Sequence, residues 1–161
     1  MQQVNQASYY SQRAQEAGHP HLLTSLAPML DFLVFFRESI NSYSNCFVST
    51  GSGRIRLDPN NVFSDELDLK TKHENIIAFR HKYVSHSDSN EIESTEAQVD
   101  ETECEIHIGN YHNISFAFDH LYDLIAIVQY VEENVVDRLD NHLKAIEKEV
   151  CKPVRLLGAD E

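Results

Sequence analysis

The chain has 161 residues and carries 26 acidic against 13 basic side chains, for a formal net charge of -13. That length builds one domain, 1–161, whose core needs no metal or disulfide staple. A content of 42% hydrophobic and 24% charged residues belongs to an ordinary globular protein, and the acidity excludes a protein that grips nucleic acid through a general basic footprint.

The N-terminal string MQQVNQASYYSQR has no basic-then-apolar leader pattern, and no apolar run approaches the ~18 residues of a membrane span. A soluble, cytoplasmic protein with no membrane partner is expected. Cys46, Cys104 and Cys151 are widely spaced and odd in number, so each reads as a small buried hydrophobe, not as part of a zinc or disulfide framework.

Residues 5–17 are polar and helix-compatible, with Tyr9, Tyr10 and Ala14 as contacts, and they run into Gly18-His-Pro20. A short, lightly packed helix is predicted there. His19 and His21 flank the proline and read as solvent-facing, with no further metal ligands in reach. From Leu22 the pattern turns strongly helical. Leu26, Met29, Leu30, Leu33, Phe36 and Ile40 recur at three and four, which predicts a core helix to about Phe47. Ser25 is its candidate cap, and Pro28 falls within the first turn where proline is tolerated.

Residues 48–63, VSTGSGRIRLDPNNVF, interrupt the helix. Gly51-Ser-Gly53 lacks the lysine and spacing of a phosphate loop, and Arg54-Ile-Arg56-Leu alternates like a short extended piece. Ser64 is then expected to start the next helix, with Asp65 and Glu66 in its first turn, where the helix dipole favours acids.

That next helix organises the chain. At 100° per residue, Leu69, Ile76, Ile77, Phe79, Tyr83 and Val84 fall within an arc of roughly 160°. Arg80 lies near the middle of this arc and His73 beside it. A guanidinium cannot lose its charge, so on a buried face Arg80 requires a carboxylate, a phosphate or a subunit interface before it.

After this helix, residues 91–105 hold seven acids and no base. Ala97, Val99, Cys104, Ile106 and Ile108 alternate at period two around Asp100-Glu-Thr-Glu103. A small β-hairpin insertion at about 92–109, one face packed on the helices, is predicted. The acids lack the ordered ligand spacing and turn glycine of a calcium loop. Asn113-Ile-Ser115 reads as a helix start. From Ile114 to about Val150, Phe118, Leu121, Ile125, Val128, Val131, Val135, Leu139, Leu143, Ile146 and Val150 keep a helical stripe. Such a helix, spanning about 54 Å, outruns its neighbours. Its far end must meet the N-terminal helix or a second subunit, or fray; the stripe Val135-Val136-Leu139-Leu143-Ile146 suits a symmetric dimer contact. An all-α, up-down bundle of about four helices with the hairpin inserted is therefore the expected fold.

The string FRHKYVSHSD, with Arg80, five residues and then His86, resembles the signature of the HEPN superfamily, helical-bundle domains of bacterial toxin, abortive-infection and RNA-processing systems. It is similar to the RNKxxAHSD form of abortive-infection-type members, with His81 where Asn is usual and Ser85 where Ala is usual. Arg13 and His19 repeat the bare spacing, but His19 lies in a helix break. The close likeness covers about ten residues; elsewhere it is one of architecture.

The resemblance implies a HEPN-like four-helix bundle and a homodimer in which two motif copies form one composite, metal-independent ribonuclease site. Arg80 would bind the scissile phosphate, and His86 would serve as general acid and base between the attacking 2'-hydroxyl and the leaving 5'-oxygen. His81 and Tyr83 would support them. No cofactor or metal is implied. A toxin or defence component held by a cognate antitoxin or nucleotidyltransferase partner is the corresponding biology. RNA contact would be local, at Arg80 and Lys82 with Lys70 and Lys72, or a partner would supply the positive surface.

On a straight helix Arg80 and His86 point roughly 120° apart, so the helix must unwind at Ser85-His86 or a second subunit must complete the site. The alternative function is a non-catalytic HEPN-like interaction or nucleotide-sensing module, for which the acidity and the two motif departures speak. A metal-dependent hydrolase rests only on nine histidines. His107-x4-His112 straddles the hairpin exit, and His120 and His142 lie too far apart along one helix to chelate together.

Overall fold

A computed structural model describes residues 1–18, 25–48, 56–83, 93–102, 104–114 and 119–154. The elements are α1 (Gln2–Ala17), α2 (Leu26–Asn45), the single turn α3 (Pro59–Val62), α4 (Leu67–Tyr83), β1 (Glu93–Glu101), β2 (Ile106–Ile114) and α5 (Asp119–Val150). The described residues are thus mostly helical, with one two-stranded antiparallel sheet among them.

Neighbouring long helices run in opposite directions. Along α1 and α2, the Ser39 hydroxyl donates to the Ala7 carbonyl at 2.9 Å, while Tyr10, later on α1, stacks on Phe35, earlier on α2. Between α2 and α4, Phe36 meets Phe79 and Tyr43 meets His73. Between α4 and α5, Phe79 meets His120 and Lys72 pairs with Asp123 at 3.5 Å. The core lies where these pairs converge, around the fully buried Phe32, Phe36, Ile40, Ile76, Leu124 and Ile127.

Several expectations are corrected, the burial of all three cysteines among them: Cys46 is buried, but Cys104 in the hairpin turn and Cys151 just past α5 are exposed. The first helix is not lightly packed: Val4, Ala7, Ser11 and Ala14 form a buried stripe against α2 and α5. Small residues at spacings of three and four let the helices approach closely while leaving little apolar signal in the sequence. Ser25 occupies the N-cap of α2 in extended geometry but makes no capping hydrogen bond. A one-turn helix, α3, appears where only a break was expected. Asp58 caps it by accepting from the Asn60 amide, Pro59 opens it, and Val62 and Phe63 are buried. This turn displaces the start of α4 from Ser64 to Leu67. Arg54 and Ile55, the first half of the expected extended piece, lie outside the described residues.

The hairpin exists but is longer than expected. Its register runs from Glu93↔Ile114 to Glu101↔Ile106, so Asn113 and Ile114 belong to a strand, not to the last helix. The ladder satisfies backbone groups on both strands, whereas an isolated first helical turn would leave its amides orphaned. The apolar face is not packed on the helices either: Val99, Ile106 and Ile108 are exposed at 60%, 63% and 73%. α5 has 32 residues, about 48 Å at 1.5 Å per residue. Leu121, Leu124, Ile127, Val128 and Val131 bury its first half, while Val136, Ile146 and Val150 are exposed farther along.

Candidate functional site

α4 is built on the stripe Leu69, His73, Ile76, Arg80 and Tyr83, whose spacings of four, three, four and three keep one face inward. His73, Ile76 and Tyr83 are buried, and Leu69 and Arg80 are half-buried. Arg80 therefore stands on the packed face, as its position in the arc predicts. Its Nε is shut off from solvent and makes no hydrogen bond among the described residues. Arg80, His81 and Lys82 all occupy the last turn, where the negative end of the helix dipole favours cations.

Around that turn the structure assembles an aromatic group. Phe79 lies 5.2 Å from the Tyr83 ring, 4.6 Å from His120 and 6.0 Å from Phe36. The Arg37 guanidinium covers Tyr83 at 5.3 Å, a cation held by the negative face of the ring. Two permanently charged forks, Arg37 from α2 and Arg80 from α4, thus come to the same end of the bundle. A guanidinium of this kind can hold a phosphate or carboxylate bidentately. Sequence reasoning missed Arg37 and His120. Arg37 follows the buried Phe36 in the core stripe, and that was the available signal; His120 had none, since its place depends on how α5 meets α4.

Tyr83 is a buried platform beneath Arg37, while His81 and Lys82 face solvent. His86, Ser85 and the rest of the motif after Tyr83 lie outside the described residues, as do His19 and His21.

His73 takes a structural place. Phe47, Phe63 and Tyr43 surround its ring at 4.5, 5.3 and 5.7 Å. The Tyr43 hydroxyl and Nδ1 are 2.7 Å apart. Burial is the main cause that lowers His73 from 6.5 to about 4, with Glu74 and Lys70 acting in opposite, smaller senses. Burial likewise raises the Tyr43 phenol well above its ordinary range. At neutral pH the bond therefore joins an uncharged phenol to an uncharged imidazole, its direction following the tautomer of His73.

Among the described residues no group of three or more His, Cys, Asp or Glu could hold a metal ion, and no helix is long and apolar enough to cross a membrane. No protein-family model, curated protein or solved structure matches the chain.

Proposed function

We propose that the chain is a metal-independent endoribonuclease of the HEPN type, working as a homodimer whose two motif copies form one site. Arg80 binds the scissile phosphate and neutralises charge on its oxygens in the transition state. His86 removes the proton from the ribose 2'-hydroxyl as it attacks phosphorus, then returns a proton to the departing 5'-oxygen. The products are a 2',3'-cyclic phosphate and a 5'-hydroxyl. His81 and Tyr83 support the pair, Tyr83 by holding Arg37 on its ring. A toxin or defence role, with an antitoxin or nucleotidyltransferase partner in the cytoplasm, belongs to the same proposal.

One observation carries it. In a chain with twice as many acids as bases, the Arg80 Nε is buried on the packed face of α4 with no hydrogen-bond partner among the described residues. Leaving that one buried N–H without a partner is costly, and in this proposal a phosphate bound at the end of α4 would complete it. Arg37 lies on the Tyr83 ring at the same end.

Cleavage of a structured RNA in excess chelator tests the proposal, using wild-type, Arg80→Ala and His86→Ala protein with the molecular mass taken in the same buffer. A cleaving wild-type dimer and at least a 100-fold loss in each variant are expected, the size of a lost acid-base or phosphate-binding group. Equal cleavage by wild type and His86→Ala, or none by a folded wild-type dimer, overturns the catalytic reading. The second reading, a non-catalytic HEPN-like interaction or nucleotide-sensing module, is favoured by the net charge of -13. It predicts that His86→Ala changes neither cleavage nor toxicity.

A further inference from the structure

A second cation-bearing place lies at the other end of the bundle. A cleft of about 520 Å³ opens between the start of α1, the end of α2 and the middle of α5. Its walls are Val4, Cys46, Leu57, Val135 and Leu139. The buried Cys46 thiol is pushed up to about 11, chiefly by desolvation, so it contributes as a protonated, apolar group. Leu139 stands 19 residues beyond His120 along α5, about 28 Å of helix from the Arg80 end.

Arg56, Arg138 and His142 rim this cleft, and no Asp or Glu lines it among the described residues. In a chain of 26 acids and 13 bases, two guanidiniums on one rim without a carboxylate are a segregation that the overall composition works against. Arg138 uses one N–H on the Asn61 carbonyl at 3.1 Å, which leaves most of its fork available. Arg56 is exposed and forms no ion pair among the described residues. The walls carry neither Phe nor Tyr, so they offer no stacking platform for a nucleobase. Apolar walls beneath a basic rim match a molecule with an aliphatic body and an anionic end, and the volume falls in the range of small-molecule sites, about 300–1,000 Å³.

We propose that this cleft binds an unbranched aliphatic carboxylate, its chain lying against Val4, Leu57, Val135 and Leu139 and its head on Arg56 and Arg138. The site is independent of the ribonuclease proposal, and ligand binding tests it without any RNA.

Titration calorimetry with decanoate, 1-decanol and acetate reads each half separately, using wild-type, Arg56→Gln and Leu139→Trp protein. Decanoate is expected to bind one per chain, at least tenfold tighter than decanol, with acetate not binding. Affinity rises roughly fourfold per added methylene from octanoate to decanoate, the gain from burying each CH₂. Arg56→Gln, which removes no internal contact, weakens decanoate about tenfold. Leu139→Trp fills the cleft and abolishes binding while the melting temperature stays near wild type. Equal affinity for decanol and decanoate, or an unchanged affinity in Arg56→Gln, overturns the proposal. So does absence of saturable binding, and a dimer that Leu139→Trp breaks but decanoate leaves intact would assign the cleft to a second copy instead.

Discussion

Acidification from pH 7 to pH 4 should weaken this fold through one imidazole. His73 protonates at about 4 in the folded chain and at an ordinary 6.5 when unfolded. Between those values the unfolded chain holds more protons, so the free energy of unfolding falls as the pH falls. The contribution is complete above 6.5 and is lost on descent through 4. At about 1.4 kcal/mol per pH unit, the gap amounts to about 3 kcal/mol. Carboxylates titrate in the same range, so the assay compares wild type with Tyr43→Phe/His73→Leu, which replaces both partners of the buried hydrogen bond by apolar groups. Each single variant strands one buried polar group and should cost about 1–3 kcal/mol at pH 7, whereas the double variant recovers much of that loss. Urea unfolding followed by far-ultraviolet circular dichroism at pH 7, 5.5 and 4 supplies the free energies. The gap between wild type and the double variant should move by about 3 kcal/mol across this range, to the disadvantage of wild type at pH 4. Parallel curves would refute the buried, neutral assignment of His73.

The packing supports two further expectations. Ala7 is fully buried where α1 meets α2, so Ala7→Leu should overpack that contact and destabilise by about 1–3 kcal/mol; a loss below half of that in urea unfolding would mean that α1 is peripheral. Val99 and Ile108 face each other across the hairpin and are exposed, so Val99→Thr/Ile108→Thr should change global stability by less than about 1 kcal/mol. A larger loss would mean that the apolar hairpin face is covered in solution.

The helical periods that carry large side chains were legible in the sequence. Leu33, Phe36 and Ile40 of the α2 stripe and Leu121, Val128 and Val131 of the α5 stripe are buried as their spacing demands, while Leu30 of the same α2 stripe is exposed, and Arg80 stands on the packed face that the arc assigned to it. What escaped has a common physical origin in weak or shared signals. Beyond Val4 the buried α1 face is alanine and serine, side chains that carry little hydrophobic signal. Ile114 fits a helical stripe and a strand equally well, and only the ladder partner Glu93 decides between them. The candidate site was legible in Arg80 and Tyr83 because both sit on one periodic face. Arg37 and His120 reach that end from other helices, and no local pattern encodes tertiary convergence.

The ring enclosure of His73 makes the chain its own folding reporter. There is no tryptophan, so fluorescence offers only the weaker signal of tyrosine. The carbon-bound protons of His73 sit among the rings of Phe47, Phe63 and Tyr43, whose circulating electrons displace their magnetic resonances from ordinary imidazole positions. That displacement exists only while α2, α4 and the turn carrying Phe63 are assembled together. A single resonance therefore reads the docking of three separate stretches of chain at once, and its loss marks the moment the core opens.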